Sequence, residues 1–378
     1  MKTILILGGY GATGKPLARH LLQQTDTRLV LAGRHIEKAH VLADVLNKEF
    51  KGGRVEAAFV DAADGATLRK ALVGIDLLLN AAPTTAYTED VIRTALEAGV
   101  DYVDIQIGEQ KLATLRSCAA EIEKAGLCFI TEAGFHPGLP AAMVRLAGEE
   151  FDVLEKAVTA GYLNIGPGAK YTDAVDELME EFKHYRSQVF KGGKWINPGA
   201  WEMRKVNFGG EVGIKQCASM FFEELGDIPA MFPGLSETGF YISGSHWFAD
   251  WVIYPIAMLG LKIAPRRGIR PLGRLVWWGM TRIPKPPYTV ILKVEAEGIK
   301  DSKPKGLEIS VSHADGYELT AIPVVAMLKQ VLDGSARKPG LWMMGYLVDP
   351  QRLFRDMEQM GVRVQKVILQ PGKTGTQK

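Results

Sequence analysis

Cysteine is scarce. Cys118, Cys128 and Cys217 are the three in 378 residues, and none forms a CxxC pair. That excludes the common structural zinc motifs and zinc-dependent alcohol dehydrogenase chemistry, and no metal site is expected. A low, odd number also suits a reducing compartment. Charge of either sign is not in excess: Lys+Arg 45 against Asp+Glu 43 leaves +2. This excludes a globally basic nucleic-acid binder and an acidic disordered chain. The apolar stretch Trp251–Ala264 carries Pro255, Gly260 and Lys262. It is shorter than the roughly 20 residues a spanning helix needs, so a transmembrane segment is rejected. None of the eleven tyrosines is followed by lysine four residues later. The Tyr/Lys pair of short-chain dehydrogenases is therefore missing.

What is there divides into two halves, and the length alone favours two domains. Up to about residue 150, short apolar runs alternate with helical patterns. The runs are Thr3–Leu7, Leu29–Ala32, Val55–Val60, Asp76–Asn80, Tyr102–Ile105 and Leu127–Thr131. Helical stretches lie between them at Lys15–Gln24, Ile36–Phe50, Ala66–Val73, Thr88–Ala98 and Glu109–Ala125. The opening Met1–Leu7 is too short for a signal peptide and reads as a first buried strand. Strand–helix alternation of this kind predicts an α/β fold with a doubly wound parallel sheet. After Phe151 the rhythm loosens. Strands are expected at Ala157–Leu163, Tyr288–Ala296, Leu307–Ser312 and Arg363–Leu369, and helices at Asp173–Phe190, Ile322–Leu332 and Asp349–Met360. The expected division is a Rossmann domain over 1–150, completed by C-terminal elements within 320–370, and a second α+β substrate and dimerisation domain over 151–320. Residues 372–378 read as a frayed terminus.

The sharpest signal is Gly8-Gly9-Tyr10-Gly11-Ala12-Thr13-Gly14, between the first strand and the first helix. Gly9, Gly11 and Gly14 fit GxGxxG in the context that the dinucleotide fingerprint requires. Glycines allow the tight turn, the approach to a pyrophosphate and the helix–strand packing, while the helix N-terminus supplies N–H donors. Gly9, Gly14 and Lys15 also fit GxxxxGK, but Pro16 replaces the magnesium-holding hydroxyl, so an ATPase is discounted. The second strand ends in Gly33-Arg34 where an NAD site usually places an acid. A guanidinium there suits the 2′-phosphate and favours NADP over NAD. Asp61, Asn80, Ala81, Ala82 and Pro83 end the third and fourth strands and point at the same crevice. Asp61 reads either as an adenine contact or as a helix cap before Ala66.

These residues resemble the saccharopine dehydrogenase-like NAD(P)-binding family. The resemblance rests on Gly8–Gly14, Ala32-Gly33-Arg34, Asn80–Pro83 and Ala95–Asp104. It also rests on Gly134-Phe135-His136-Pro137-Gly138-Leu139, similar to that family's G-[FL]-D-P-G-[ILV] junction. It covers roughly residues 1–150. The resemblance implies a two-domain oxidoreductase moving a hydride between NADPH and an imine, carbonyl or amino-acid-like substrate. His136 departs from the pattern, which usually has Asp. Candidate proton donors are His136 and Tyr171, with Asp104 and Glu132 as further acids near the crevice. Each also has a bland reading, as a loop residue or a cap.

One segment stands apart. Residues 251–294 contain no acid, and 247–287 interleaves Trp247, Trp251, Tyr254, Trp277 and Trp278 with seven basic residues. It reads as a buried helix followed by a basic loop, as a membrane-surface contact, or as the lining for a hydrophobic anionic substrate. The rival functions are a reductase of acyl or enoyl, lipid-linked substrates at a membrane surface, and a noncatalytic NADP-binding scaffold. The expected partners are a small molecule, no nucleic acid and a second copy in a homodimer. The expected location is cytoplasmic, with peripheral contact at the inner face of a membrane.

Overall fold

The computed structural model describes residues 1–199, 202–244 and 246–369. Its strands are β1 Thr3–Leu7, β2 Arg28–Gly33, β3 Val55–Phe59, β4 Leu77–Asn80, β5 Asp101–Asp104, β6 Cys128–Thr131, β7 Val153–Asn164, β8 Val189–Lys191, β9 Lys194–Ile196, β10 Arg204–Asn207, β11 Ile214–Met220, β12 Glu237–Ser243, β13 Thr289–Lys300, β14 Lys303–His313, β15 Gly340–Met343 and β16 Arg363–Leu369. The described residues form two units, 1–139 with 317–360, and those from 140 to 316 with 361–369.

The first unit is a seven-stranded sheet in the order β15-β6-β5-β4-β1-β2-β3. Every pairing in it is parallel. A parallel sheet is covered on both faces, which is why β1 and β4 are almost wholly apolar and buried. Leu5, Leu7, Leu78, Tyr102 and Phe129 pack with Val91, Ile92 and Ile122 from the covering helices. Each such side chain contributes about 1.5–3 kcal/mol by leaving water. The C-terminal strand β15 extends the sheet beside β6, and Arg337 leads into it with a two-pronged contact to Asp101, at 2.8 and 3.0 Å. The order reverses between β1 and β4. At such a switch point two strand ends diverge and leave a crevice beyond their carboxyl ends.

The second unit is built on a mixed sheet whose path runs β10-β11-β12-β7-β13-β14-β16, with β8 and β9 off it. Only β12 and β7 pair in parallel along that path; the others are antiparallel. Val158, Ala160, Val189, Val206, Cys217 and Tyr241 form one of its cores. Helices Asp173–Phe182, Tyr254–Ile263 and Ile269–Arg282 form a separate apolar layer through Met179, Ala257, Leu261 and Val276.

Several elements depart from the sequence expectations. The helix expected over 173–190 stops at Phe182, because Phe190 and Lys191 pair with β12 instead. The stretch 109–125 is two helices divided at Cys118. There the Ser117 hydroxyl donates to the Thr114 carbonyl at 2.7 Å, competing with the helical ladder. The basic part of 247–287, a loop in one of the three readings, includes the helix Ile269–Arg282. The expected frayed tail, 372–378, lies outside the described residues.

Candidate active site

The glycine turn is wound as the fingerprint requires. The N–H of Gly8 donates to Ala32 O at 2.8 Å and that of Gly11 to Gly8 O at 2.8 Å. The helix Gly14–Gln24 then begins, with Thr13 before it. At Gly14 a Cβ would fall 2.2 Å from Gly8 O and 2.7 Å from the backbone of Gly9. Only glycine lets the helix start this close to the turn. The first turn of that helix carries no acid; Lys15 N and Leu17 N donate to Gly11 O and Thr13 O at 3.1 Å, and Pro16 has no N–H.

The neighbouring strand end is braced to this turn. Tyr10 Oη accepts a hydrogen bond from the backbone N–H of His35 at 2.9 Å. Its ring lies so close over Gly33 that a Cβ there would meet Oη at 2.5 Å. Gly9, Tyr10, Gly11, Ala12, Thr13 and Gly14 are thereby brought beside Gly33 and Arg34. Arg34 is exposed at the end of β2, where no acid stands. Asp61 follows β3; its Oδ1 accepts from Ala63 N at 3.1 Å, and its N–H bonds the Thr67 hydroxyl. The cap of helix Gly65–Ala71 is Asp64, through Ala66 N at 3.0 Å, so the capping role considered for Asp61 belongs to its neighbour.

At β4 the expected Asn80, Ala81, Ala82 and Pro83 lie against the turn: Ala81 N donates to Leu7 O at 2.9 Å. Asn80 is fully buried, and its Nδ2 donates to Thr84 Oγ1 at 2.8 Å. Gln106 Nε2 donates to Ala82 O at 2.8 Å and Asn80 Oδ1 accepts from Ala82 N at 3.3 Å. This buried network fixes the path of 80–84. One layer away, Lys111 and Asp104 form an ion pair at 2.7 Å with side chains 4% and 0% exposed. Thr131 Oγ1 donates to the same Asp104 oxygen at 3.1 Å, so the pair is supported by a further hydrogen bond. Asp104 was a candidate from sequence. Thr84, Gln106 and Lys111 were not, because no motif marks them.

The junction after β6 is tightly coiled. Glu132 adopts φ 53, and Gly134 and Gly138 have φ 144 and 123. A Cβ on Gly138 would lie 2.7 Å from both Glu132 O and Gly134 N. A non-glycine residue at positive φ, like Glu132, marks backbone held by its surroundings. His136 follows, half-buried, with Phe135 at 4.3 Å between ring centroids. Desolvation of its imidazole holds its pKa down at about 4, so the ring is neutral at neutral pH.

Tyr171 belongs to the second unit. Its hydroxyl donates to Asp176 and its ring stands edge-on to Trp277. Burial and the Asp176 carboxylate raise its pKa to about 12, so the phenol keeps its proton through the physiological range. The second unit also holds a groove of about 510 Å³ lined by Tyr185, Arg186, Asn197, Glu202 and Ser219 among others. It contains none of the residues expected from sequence. No group of His, Cys, Asp and Glu suited to a metal ion occurs among the described residues.

Comparison with known proteins agrees with the geometry of the first unit. Residues 4–130 match the family model of the saccharopine dehydrogenase NADP binding domain. No curated protein matches the chain. Among solved structures it is similar to apo histidine-tagged saccharopine dehydrogenase (L-Glu forming) from Saccharomyces cerevisiae. The two share 16% identity and a TM-score of 0.72 over 98% of this chain and 100% of that one. It is also similar to a myo-inositol dehydrogenase from Corynebacterium glutamicum ATCC 13032, at 13% identity and a TM-score of 0.45 over 98% and 99% of the chains. The glycine turn thus lies in a region, residues 4–130, that matches the saccharopine dehydrogenase NADP binding domain, and the chain shares the yeast enzyme's fold along its length.

Proposed function

We propose that the protein prefers NADPH and uses it to reduce a C=N or C=O carbon of a small imine, carbonyl or amino-acid-like substrate, or runs the same reaction in reverse. The observation that carries the cofactor preference is the end of β2. Arg34 stands there without an acidic residue, beside a glycine turn that Tyr10 ties to His35. A guanidinium takes a 2′-phosphate through paired charge-assisted hydrogen bonds, whereas an acid would repel it. The nicotinamide supplies the hydride when bound. The protein's part is to hold it against the Asn80–Pro83 backbone, which the Gln106 network keeps in place. The Glu132–Gly138 turn presents His136 on the same side of the sheet's carboxyl ends. A neutral imidazole there hydrogen-bonds and orients a substrate nitrogen or oxygen without carrying charge.

The test is NADPH oxidation by the purified protein with mixtures of 2-oxo acids and amines, which form imines in solution, and with simple carbonyl compounds. Turnover is expected with at least one class, faster with NADPH than with NADH. Tight NADPH binding with no turnover across those classes would instead favour a noncatalytic cofactor-binding protein.

A further inference from the structure

The helices Tyr254–Ile263 and Ile269–Arg282 pack only one side into the second unit. Ala257, Leu261 and Val276 are buried against Met179, Ala249 and Ile253. Gly260 lets the two helices approach closely, since a Cβ there would meet Leu272 Cδ1 at 2.8 Å. The other side is apolar as well, yet faces water. Ile256, Leu259 and Ile263, at helical spacing, are 51%, 60% and 77% exposed. Trp247, Trp251 and Trp278 are exposed beside them in sequence, at 65%, 40% and 47%. Large apolar side chains grouped in this way are unusual on a monomer's surface and mark an interaction site.

The charge around the group says what covers it. Arg270, Arg274, Trp278 and Arg282 follow one another every four residues, and all four are exposed, so a basic row with a tryptophan in it runs along the second helix. Lys262, Arg266 and Arg267 are exposed at the turn between the helices. None of these basic residues has an ion-pair partner among the described residues, and no acid occurs from 251 to 294. A second copy is a poor occupant. A twofold contact through this face would set the basic row against itself, and Asp176, the carboxylate beside Gly273, is taken by the Tyr171 hydroxyl. An anionic lipid surface matches both properties: headgroups for the cations, and acyl chains beneath for isoleucine, leucine and the indoles, which favour the boundary between them. No helix among the described residues is long and apolar enough to cross a bilayer, so the contact lies in the plane of the surface.

We propose that the exposed face of residues 247–282 is a peripheral docking surface for an anionic lipid bilayer. It draws on residues separate from the cofactor crevice and stands whether or not the substrate reading is right.

The experiment is sedimentation of the full chain with phosphatidylcholine vesicles, plain or carrying about 30% phosphatidylserine, a content that gives the surface a cytoplasmic-like negative potential. The wild type should bind the anionic vesicles, bind the neutral ones far less, and release as salt is raised. Arg266→Glu with Arg267→Glu should weaken binding at least 25-fold, since each lost cation is worth about fivefold. Leu259→Ser with Ile263→Ser should weaken it comparably. These side chains face solvent, so both variants should keep their circular dichroism and NADPH affinity. The emission of Trp247, Trp251 and Trp278 should shift to the blue on binding. Equal binding to neutral vesicles, binding unchanged in both variants, or no binding at all would overturn the proposal. A wild-type dimer that the Leu259/Ile263 variant dissociates would overturn it too, and assign the face to a second copy.

Discussion

The hydroxyl of Tyr10, in the glycine turn, accepts the backbone N–H of His35 at 2.9 Å, one residue past Arg34. The pyrophosphate cradle and the proposed 2′-phosphate contact are thus held at a fixed separation by one side chain. Removing the hydroxyl in Tyr10→Phe leaves that N–H without its partner. NADPH affinity is expected to fall about 3- to 10-fold, the worth of one neutral hydrogen bond, with NADH affinity changing less. Paired calorimetric titrations with the two nucleotides read this directly.

Gln106 is the centre of the network behind Asn80–Pro83. It is buried, and its amide reaches Ala82 O at 2.8 Å and Thr84 Oγ1 at 3.2 Å. Gln106→Leu keeps the volume but removes the donor to Ala82 O and one partner each of Asn80 and Thr84. A loss of about 1–3 kcal/mol in stability is expected, measured by urea unfolding. Gln106→Glu should be at least as costly, because it brings a charge into the same buried place.

Two groups give the units opposite pH dependence. His136 has its pKa held down at about 4 by desolvation, so the fold favours the neutral ring. The stability this provides is present above the unfolded value near 6.5 and is lost as pH falls toward about 4, by about 2 kcal/mol after allowance for partial exposure. Asp250 is the reverse. Burial raises its pKa to about 7, and its Oδ1 is buried with no hydrogen-bond partner among the described residues. The fold favours the protonated acid, so its contribution is present below about pH 4 and is lost as pH rises through 7. Asp250→Asn should therefore raise stability at neutral pH by about 2–3 kcal/mol and flatten the curve between about pH 4 and 7. His136→Gln should flatten the acid limb, whatever it does to the absolute value. Thermal unfolding at a series of pH values separates the two, and an unchanged slope in either variant contradicts the corresponding assignment.

The glycine turn and the six leading strands were legible because each is written locally. Apolar runs end in turn residues, and Gly14 follows Gly11 at the spacing the turn demands. The strand ends of Gly33 and Asn80 were readable for the same reason. Gln106 and Lys111 were not, because their meaning lies in partners met only when β4 and β5 pair. The short strands β8 to β12 carry mixed polar residues and are defined by pairing across the sheet. The helix Gly316–Leu332 starts six residues earlier than Pro323 and its neighbours suggested, since nearly every residue from 319 to 331 is buried and packing outweighs the proline. The composition of 247–287 was plain in the sequence. Which of its residues face water was not, since that depends on how two helices share one apolar layer.

The crevice at the ends of β1 and β2 is proposed to bind NADPH through Arg34. Calorimetric titration of the wild type and of Arg34→Ser with NADPH and with NADH tests it most directly. The wild type is expected to bind NADPH the more tightly, and Arg34→Ser to lose about 10- to 100-fold in NADPH affinity while NADH affinity stays within a few-fold. Equal losses for both nucleotides, or none for either, would contradict it.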